Sequence, residues 1–178
     1  LDPNLNLRLH VKSISAKVSN ALFHLRTAKN VLAQQALTTL YYSLIHSHLI
    51  YAIHVWSCTQ PSILNELVLK QKMAIRIIHN SAYNAHTESL FKSSSILPLN
   101  YMIEFFKLQF MHHYTFNNLP ASFLNMWPTH AERRNEDDGL NLRNNNELYV
   151  PFSRLSSFDC RPLIHFPKLW NEFNNPCK

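Results

Sequence analysis

The amino-acid sequence predicts an all-α protein, a domain of four to six helices followed by a short irregular or β-structured C-terminal tail. Apolar residues recur three and four positions apart in several long segments, the spacing of a helix with one buried face. The only glycine is Gly139, which argues against tight β-hairpins. A chain of 178 residues is long enough for one domain and a tail.

The first predicted element is an amphipathic helix over Arg8–Lys29. Its basic residues fall about 100° around the helix from its apolar stripe, so they adjoin the buried face. Cations in this position can lay their stems on apolar surface and offer their charges to a partner. The residues of the apolar stripe are Ile14, Val18, Ala21, Leu22 and Leu25; those of the basic edge are Arg8, Lys12, Arg26 and Lys29.

The segment Ala36–Ile78 is predicted to form a helical hairpin against which the other elements pack. Both arms have apolar residues at helical spacing, and Pro61 marks the start of the second arm because proline is tolerated in the first turn of a helix. Lys72 and Arg76 lie four residues apart on that arm. We expect both to face away from the apolar stripe and toward water.

Two further helices are predicted downstream. A short one covers Thr87–Lys92, and Ser93–Ser95 ends it. A longer one covers Asn100–Phe116, with Asn117 and Asn118 at its end. This second helix is apolar almost all round from Tyr101 to Phe116, so it is either buried centrally or packs one face against a partner that this chain lacks.

The remaining residues change character, and the sequence predicts a division into three parts. Residues 1–127 form the helical domain, residues 128–147 form a polar linker without apolar periodicity, and residues 148–178 form the tail. Within the tail, Leu148–Phe152 is predicted to be extended and Pro162–Phe166 to form a short strand.

Positive charge is concentrated in residues 1–80. This segment has eight lysines and arginines against Asp2 and Glu66, and its net charge of +6 equals that of the whole chain. Such asymmetry indicates an anionic partner, although a solvated helix face is the alternative. Lysine and arginine neutralise phosphates without reading bases, so binding would be salt-dependent and sequence-tolerant. The candidate nucleic-acid-binding residues are Arg8, Lys12, Arg26, Lys29, Lys72 and Arg76.

The sequence has few patterns that are typical of catalytic or metal-binding sites. Asp137 and Asp138, beside Glu136, are the candidate carboxylate pair, but they lie in the polar linker, where a solvated charge run is the simpler interpretation. One glycine excludes a Walker-type phosphate loop. His46 and His48 are two residues apart, so on a helix their side chains lie on different faces and cannot bind one metal ion together. No HExxH or Cys-x-x-Cys motif occurs. We therefore expect no enzyme activity, no metal and no cofactor.

Cysteine usage and hydropathy bear on the compartment. Cys58, Cys160 and Cys177 are odd in number and far apart, which favours a reducing, intracellular compartment, cytoplasm or nucleus. No stretch resembles a membrane span, and no signal peptide is recognisable. The opening without methionine suggests a fragment.

Six blocks of sequence, in order, resemble the region after the polymerase palm of non-LTR (LINE-type, jockey-like) retrotransposon reverse transcriptases. Leu1-Asp2, His10 and Ile14 also resemble the exit from the palm in that family. The blocks are YYSLIHSHLIYAIHVW (41–56), LKQKMAIRII (69–78), AHTESLFKSSSILPLN (85–100), KLQFMHHYTFNNLPASF (107–123), LRNNNELYVP (142–151) and FPKLWN (166–171).

The resemblance implies a thumb and post-polymerase region without its catalytic centre. In that family the catalytic carboxylates sit in a Tyr-x-Asp-Asp turn upstream of this region, and no such turn occurs here. Thumb helices of relatives pack on the primer–template duplex, so the basic helices are expected to contact an RNA/DNA duplex. The absent palm is expected to pack on Tyr101–Phe116. The alternatives are a structural or interaction segment and a decayed remnant with no independent activity.

The chain departs from the family pattern at two positions. Ser47 and Ala52 stand where the family usually has proline and glycine. Because alanine favours a helix over glycine by up to about 1 kcal/mol, Ala52 is expected to leave the first arm of the hairpin straighter.

Overall fold

The computed structural model describes residues 7–59, 61–134, 146–152, 154 and 161–174, and within these residues the fold is all-α. The prediction of a multi-helix, all-α protein is confirmed. The helices are α1 (Arg8–Ala28), α2 (Gln34–Tyr41), α3 (Ser47–Ile50), α4 (Ile53–Trp56), α5 (Pro61–Ile78), α6 (Glu88–Ser94), α7 (Leu99–Thr115), α8 (His130–Arg133) and α9 (Pro162–Asn174), with a π-helical turn at Tyr42–His46 and a 3₁₀ turn at Ala121–Phe123.

Two compact units make up the chain, Leu1–Glu104 and Phe105–Lys178. The division falls within α7, so it does not coincide with the boundaries at 127 and 147 that the sequence suggested. Each unit has its own buried residues.

The first unit is built on α1 and α5, which pack side by side and run parallel. Ser15 on α1 contacts Glu66 on α5, and Lys29, just after α1, contacts Asn80, just after α5. The two pairs share the same sequence separation of 51 residues, so the register is constant along the pair. The whole predicted apolar stripe of α1 is buried, joined by Val11.

The first arm of the predicted hairpin is not one helix. It consists of α2, a π-helical turn, α3 and α4, and the expectation that Ala52 would straighten it is wrong. Ala52 has left-handed backbone angles, φ 52° and ψ 32°, which separate α3 from α4. The indole of Trp56 is fully buried, and its Nε1 donates to the Tyr51 carbonyl oxygen at 2.8 Å. Burial of Trp56 with this hydrogen bond outweighs the helix preference of alanine.

Gln71 joins three elements of the first unit although it is polar and fully buried. Its Nε2 donates to Tyr41 Oη at 2.9 Å and to the Leu97 carbonyl oxygen at 3.0 Å, and its Oε1 accepts from the Leu99 N–H at 2.7 Å. Tyr41 and Leu99 are fully buried, so their polar groups would otherwise have no partner in the core. Gln71 therefore fixes α2 and the start of α7 against α5.

The second unit packs around an aromatic cluster. Trp127 is buried and stacks on Phe166, while Phe110 and Tyr114 from α7 meet the Trp127 ring edge-on. The Trp127 Nε1 donates to the Leu163 carbonyl oxygen at 3.1 Å. These contacts place Trp127 and α9 in the same core.

The predicted strand at Pro162–Phe166 is wrong, because this segment begins α9. Proline is favoured in the first turn of a helix, as at Pro162 here. The helix buries Phe166 against the aromatic cluster. The described β-structure is limited to one antiparallel bridge between Thr129 and Leu148, so Leu148–Phe152 is non-helical but not a strand.

Part of the predicted polar linker is also helical. Thr129 and Glu132 form a reciprocal capping box that starts α8. The Arg133 guanidinium lies 3.6 Å from the centre of the Tyr149 ring, a cation–π contact. Residues 135–145, with Asp137, Asp138 and Gly139, lie outside the described residues, as do Cys160 and Cys177.

Candidate nucleic-acid interface

The six predicted binding residues do not form one continuous face. Arg8 and Lys12 lie at the start of α1, and Arg26 and Lys29 lie at its end, about 27 Å away along the axis at 1.5 Å per residue. Because α5 runs parallel to α1, Arg76 joins the second pair. Lys72 lines a different groove.

The convergence of Arg26, Lys29 and Arg76 begins with the way α5 ends. Asn80 adopts a left-handed conformation, φ 48°, and the Ser81 N–H donates to the Arg76 carbonyl oxygen at 2.9 Å. This is a Schellman cap, for which asparagine is a common residue after glycine. The cap reverses the chain so that the segment 81–85 returns along α5, where the Arg76 Nε donates to the Ala85 carbonyl oxygen at 3.0 Å.

The three cations surround an open cavity of about 130 Å³. Within the part of the chain that the structure describes, no carboxylate lines this cavity, and the Arg26 guanidinium has no ion pair or hydrogen bond. The Lys29 Nζ contacts only a neutral partner here, Asn80 Oδ1 at 3.4 Å. The positive potential of the three cations is therefore not neutralised locally. The lining residues are Arg26, Lys29, Met73, Arg76, Ile77, Ser81 and Tyr83.

Negative charge moderates the other end of α1. The Lys70 Nζ lies 2.9 Å from Glu66 Oε1 and donates to the Ser15 carbonyl oxygen at 3.0 Å, while Ser15 Oγ donates to Glu66. The hydrogen bond from Ser15 first, then that from Lys70 and the positive charges of Lys70 and Lys12, hold the pKa of Glu66 below its usual value. The ionised Glu66 carboxylate offsets part of the charge of Lys12.

Lys72 is half-buried in a groove bordered by α5, α6 and the segment that leads into α7. The same groove holds Lys92, which pairs with Glu88 at 3.2 Å, and apolar residues that include Phe91 and Leu97. Lys72 and Arg76, which were expected to face water, are each half-buried. The loop after α5 covers Arg76, and α6 covers Lys72.

Sequence reasoning missed Tyr83, Asn80 and Lys70. Tyr83 lies between the predicted hairpin and the predicted helix over Thr87–Lys92, in a segment for which no role was predicted. The helix-ending position of Asn80 was readable as a cap. The role of Lys70 depends on Ser15, which is 55 residues away, so no local pattern could have shown it.

Within the described residues, neither a metal-binding cluster nor a membrane-spanning helix is found. No group of three or more histidine, cysteine, aspartate or glutamate side chains is placed to hold a metal ion there. No helix in those ranges combines the length and the apolar character needed to cross a bilayer.

Comparisons with known proteins give no assignment. No protein-family model matches the chain, and neither the curated proteins nor the solved structures include a significant match.

Proposed function

We propose that this chain is a thumb-like region of a non-LTR retrotransposon reverse transcriptase that lacks the catalytic palm, and that it binds the primer–template RNA/DNA duplex without sequence preference. The observation that carries the proposal is the convergence of Arg26, Lys29 and Arg76 around a cavity with no carboxylate among its described residues. Such a cluster attracts phosphates, and this attraction weakens as the salt concentration rises. The chain itself has no polymerase activity on this proposal and works inside the cell, in the cytoplasm or nucleus.

The backbone at Ala52 adds support. The family resemblance places a glycine at this position, and Ala52 has the left-handed conformation that glycine adopts without penalty. A helix break at this point is what a glycine would be used for, so the local structure fits the resemblance. This agreement concerns the backbone of one residue. It supports the family resemblance and does not bear on nucleic-acid binding.

The exposed aromatic residues of α7 favour a second role, as an interaction segment for the absent palm. Tyr101 and Phe105 on α7 and Phe116 just after it are 62%, 54% and 63% exposed, which is unusual for large aromatic side chains in a segment that is apolar almost all round. On this proposal, the palm covers part of α7 in the complete enzyme.

The experiment is equilibrium binding of an RNA/DNA hybrid to the wild-type chain and to a variant with all six cations replaced by glutamine. We expect the wild type to bind hybrids of unrelated sequence with similar affinity, because phosphate contacts carry no sequence information. The variant should bind at least about tenfold more weakly at low salt. Equal affinities of the two proteins would contradict the proposal.

A further inference from the structure

Tyr83 stands beside the three converged cations and has no role in the core. Its side chain is 76% exposed, although it lines the same cavity as Arg26, Lys29 and Arg76. Met73 and Ile77 supply the apolar part of that cavity. An exposed aromatic ring next to unneutralised cations is the combination that proteins use to bind unpaired nucleotides.

The position of Tyr83 is set by contacts on both sides. The Schellman cap at Asn80 turns the chain just before it, and the hydrogen bond from Arg76 Nε to Ala85 holds the chain just after it. Arg76 therefore uses one edge of its guanidinium for the loop, and its two terminal nitrogens remain for a phosphate. Tyr83 is thus presented from a short segment that is anchored at both ends.

Base pairs in the interior of a duplex cannot use this ring, because their bases are stacked inside and only phosphates and groove edges face the protein. An unpaired nucleotide offers a phosphate and a free base face together. Stacking on an aromatic ring is tolerant of sequence because every base has such a face. The cavity itself is small, so the base would lie over the Tyr83 ring at its rim and would not be enclosed.

We propose that this end of the first unit binds single-stranded nucleic acid, with a phosphate on Arg26, Lys29 and Arg76 and the adjoining base stacked on Tyr83. The inference rests on the proposed nucleic-acid-binding function and names the substrate class for one part of that surface. The same three cations can hold a phosphate of a duplex or of a single strand, and only a single strand adds a base stacked on Tyr83.

The test compares single-stranded RNA and DNA oligonucleotides with a blunt RNA/DNA hybrid by fluorescence anisotropy. We expect Tyr83→Ala to weaken single-strand binding at least about fivefold, the low end for loss of one stacked base, and to leave hybrid binding unchanged. Tyr83→Phe should retain single-strand affinity, since the ring is kept. Tyr51→Ala is the matched control, because Tyr51 is 71% exposed in the same unit but does not line this cavity.

Each outcome decides the inference. A loss confined to single strands and to Tyr83→Ala supports it. No effect of Tyr83→Ala, or an equal loss for the hybrid, overturns it while leaving duplex binding in place. Failure of the wild type to bind single strands overturns it as well, and failure to bind the hybrid too would remove the proposed function.

Discussion

The side-chain amide of Asn171 hydrogen-bonds both backbone groups of Leu148. Its Nδ2 donates to the Leu148 carbonyl oxygen at 2.8 Å, and its Oδ1 accepts from the Leu148 N–H at 3.0 Å. The amide takes the place of a neighbouring strand for Leu148, a buried residue whose one β-bridge among the described residues is with Thr129. The contact joins the blocks LRNNNELYVP and FPKLWN, two segments on which the family resemblance depends.

Replacement of Asn171 should therefore destabilise the second unit. We expect Asn171→Leu to cost about 1–3 kcal/mol, because two partly buried backbone groups lose their partners. Hydrogen exchange of the Leu148 amide measures this locally. Asn174→Ala, an exposed substitution at the end of the same helix, serves as the control and should change little. Unchanged exchange at Leu148 in Asn171→Leu would show that the contact is not stabilising.

Ala52→Gly should stabilise the first unit by about 0.5–1 kcal/mol. A left-handed backbone costs an L-residue about 1–2 kcal/mol, and glycine avoids this cost at a smaller loss of chain entropy. Denaturant unfolding measures the change. Ala16→Gly is the control of opposite sign, because Ala16 is exposed within α1, where glycine should destabilise by about 1 kcal/mol. If both substitutions destabilise, the left-handed assignment at Ala52 is wrong.

The free energy of unfolding should fall between pH 10 and pH 12 because of the ionisation of Tyr41. Burial raises the pKa of Tyr41 from 10.0 to about 12, only partly opposed by its hydrogen bond with Gln71. Below pH 10 the Tyr41 hydroxyl is protonated in both states, and its full contribution to stability is present. Above pH 10 the hydroxyl ionises in the unfolded chain before it ionises in the folded protein, so the free energy of unfolding falls as the pH rises. The loss should reach up to about 3 kcal/mol.

The comparison that isolates Tyr41 is with Tyr41→Phe, which lacks the ionisable group. Unfolding measured across this pH range should show a shallower decline for the variant than for the wild type. Parallel declines would mean that the Tyr41 hydroxyl titrates alike in both states. Lysines and other tyrosines that titrate in this range are common to the two proteins.

How much of this structure the sequence predicts depends on the range of the interactions. The stripe of α1, the start of α5 at Pro61 and the end of α7 at Asn117 follow from local spacing and capping, and all three are confirmed. The break at Ala52 is not predictable in this way, because Trp56 enforces it against a local helix preference. Short apolar runs such as Pro162–Phe166 fit a strand and a helix equally well.

The grouping of the cations could not be predicted from local sequence patterns either, because it depends on tertiary packing. Arg26 and Arg76 meet because α1 and α5 pair in parallel with a constant separation of 51 residues, a tertiary register with no trace in either helix alone. The helical wheel shows that Arg8 and Arg26 share an angle but not that Glu66 lies beside one end only. Composition predicted the charge, and packing decided where it remains unneutralised.

The exposed face of α7 should make the isolated chain associate as its concentration rises. Phe105 is the most informative position, since it is more than half exposed near the middle of the helix. We expect Phe105→Glu to shift the association to higher concentration in sedimentation experiments, because a charge opposes burial of the surface. Phe23→Glu is the control, at a phenylalanine on α1 that is 65% exposed, against 54% for Phe105. A monodisperse wild-type monomer at high concentration would contradict this expectation.

The central claim is that Arg26, Lys29 and Arg76 bind phosphates, and the salt dependence of RNA/DNA hybrid affinity tests it most directly. The wild type should be compared with the triple glutamine variant of these residues and with a charge-matched control, Lys17→Gln/Arg154→Gln/Lys168→Gln, whose cations are exposed elsewhere. We expect the triple variant to flatten the slope of log affinity against log salt by about 2–3, and the control to change it by less than about 1. Equal slopes for all three proteins would contradict the claim.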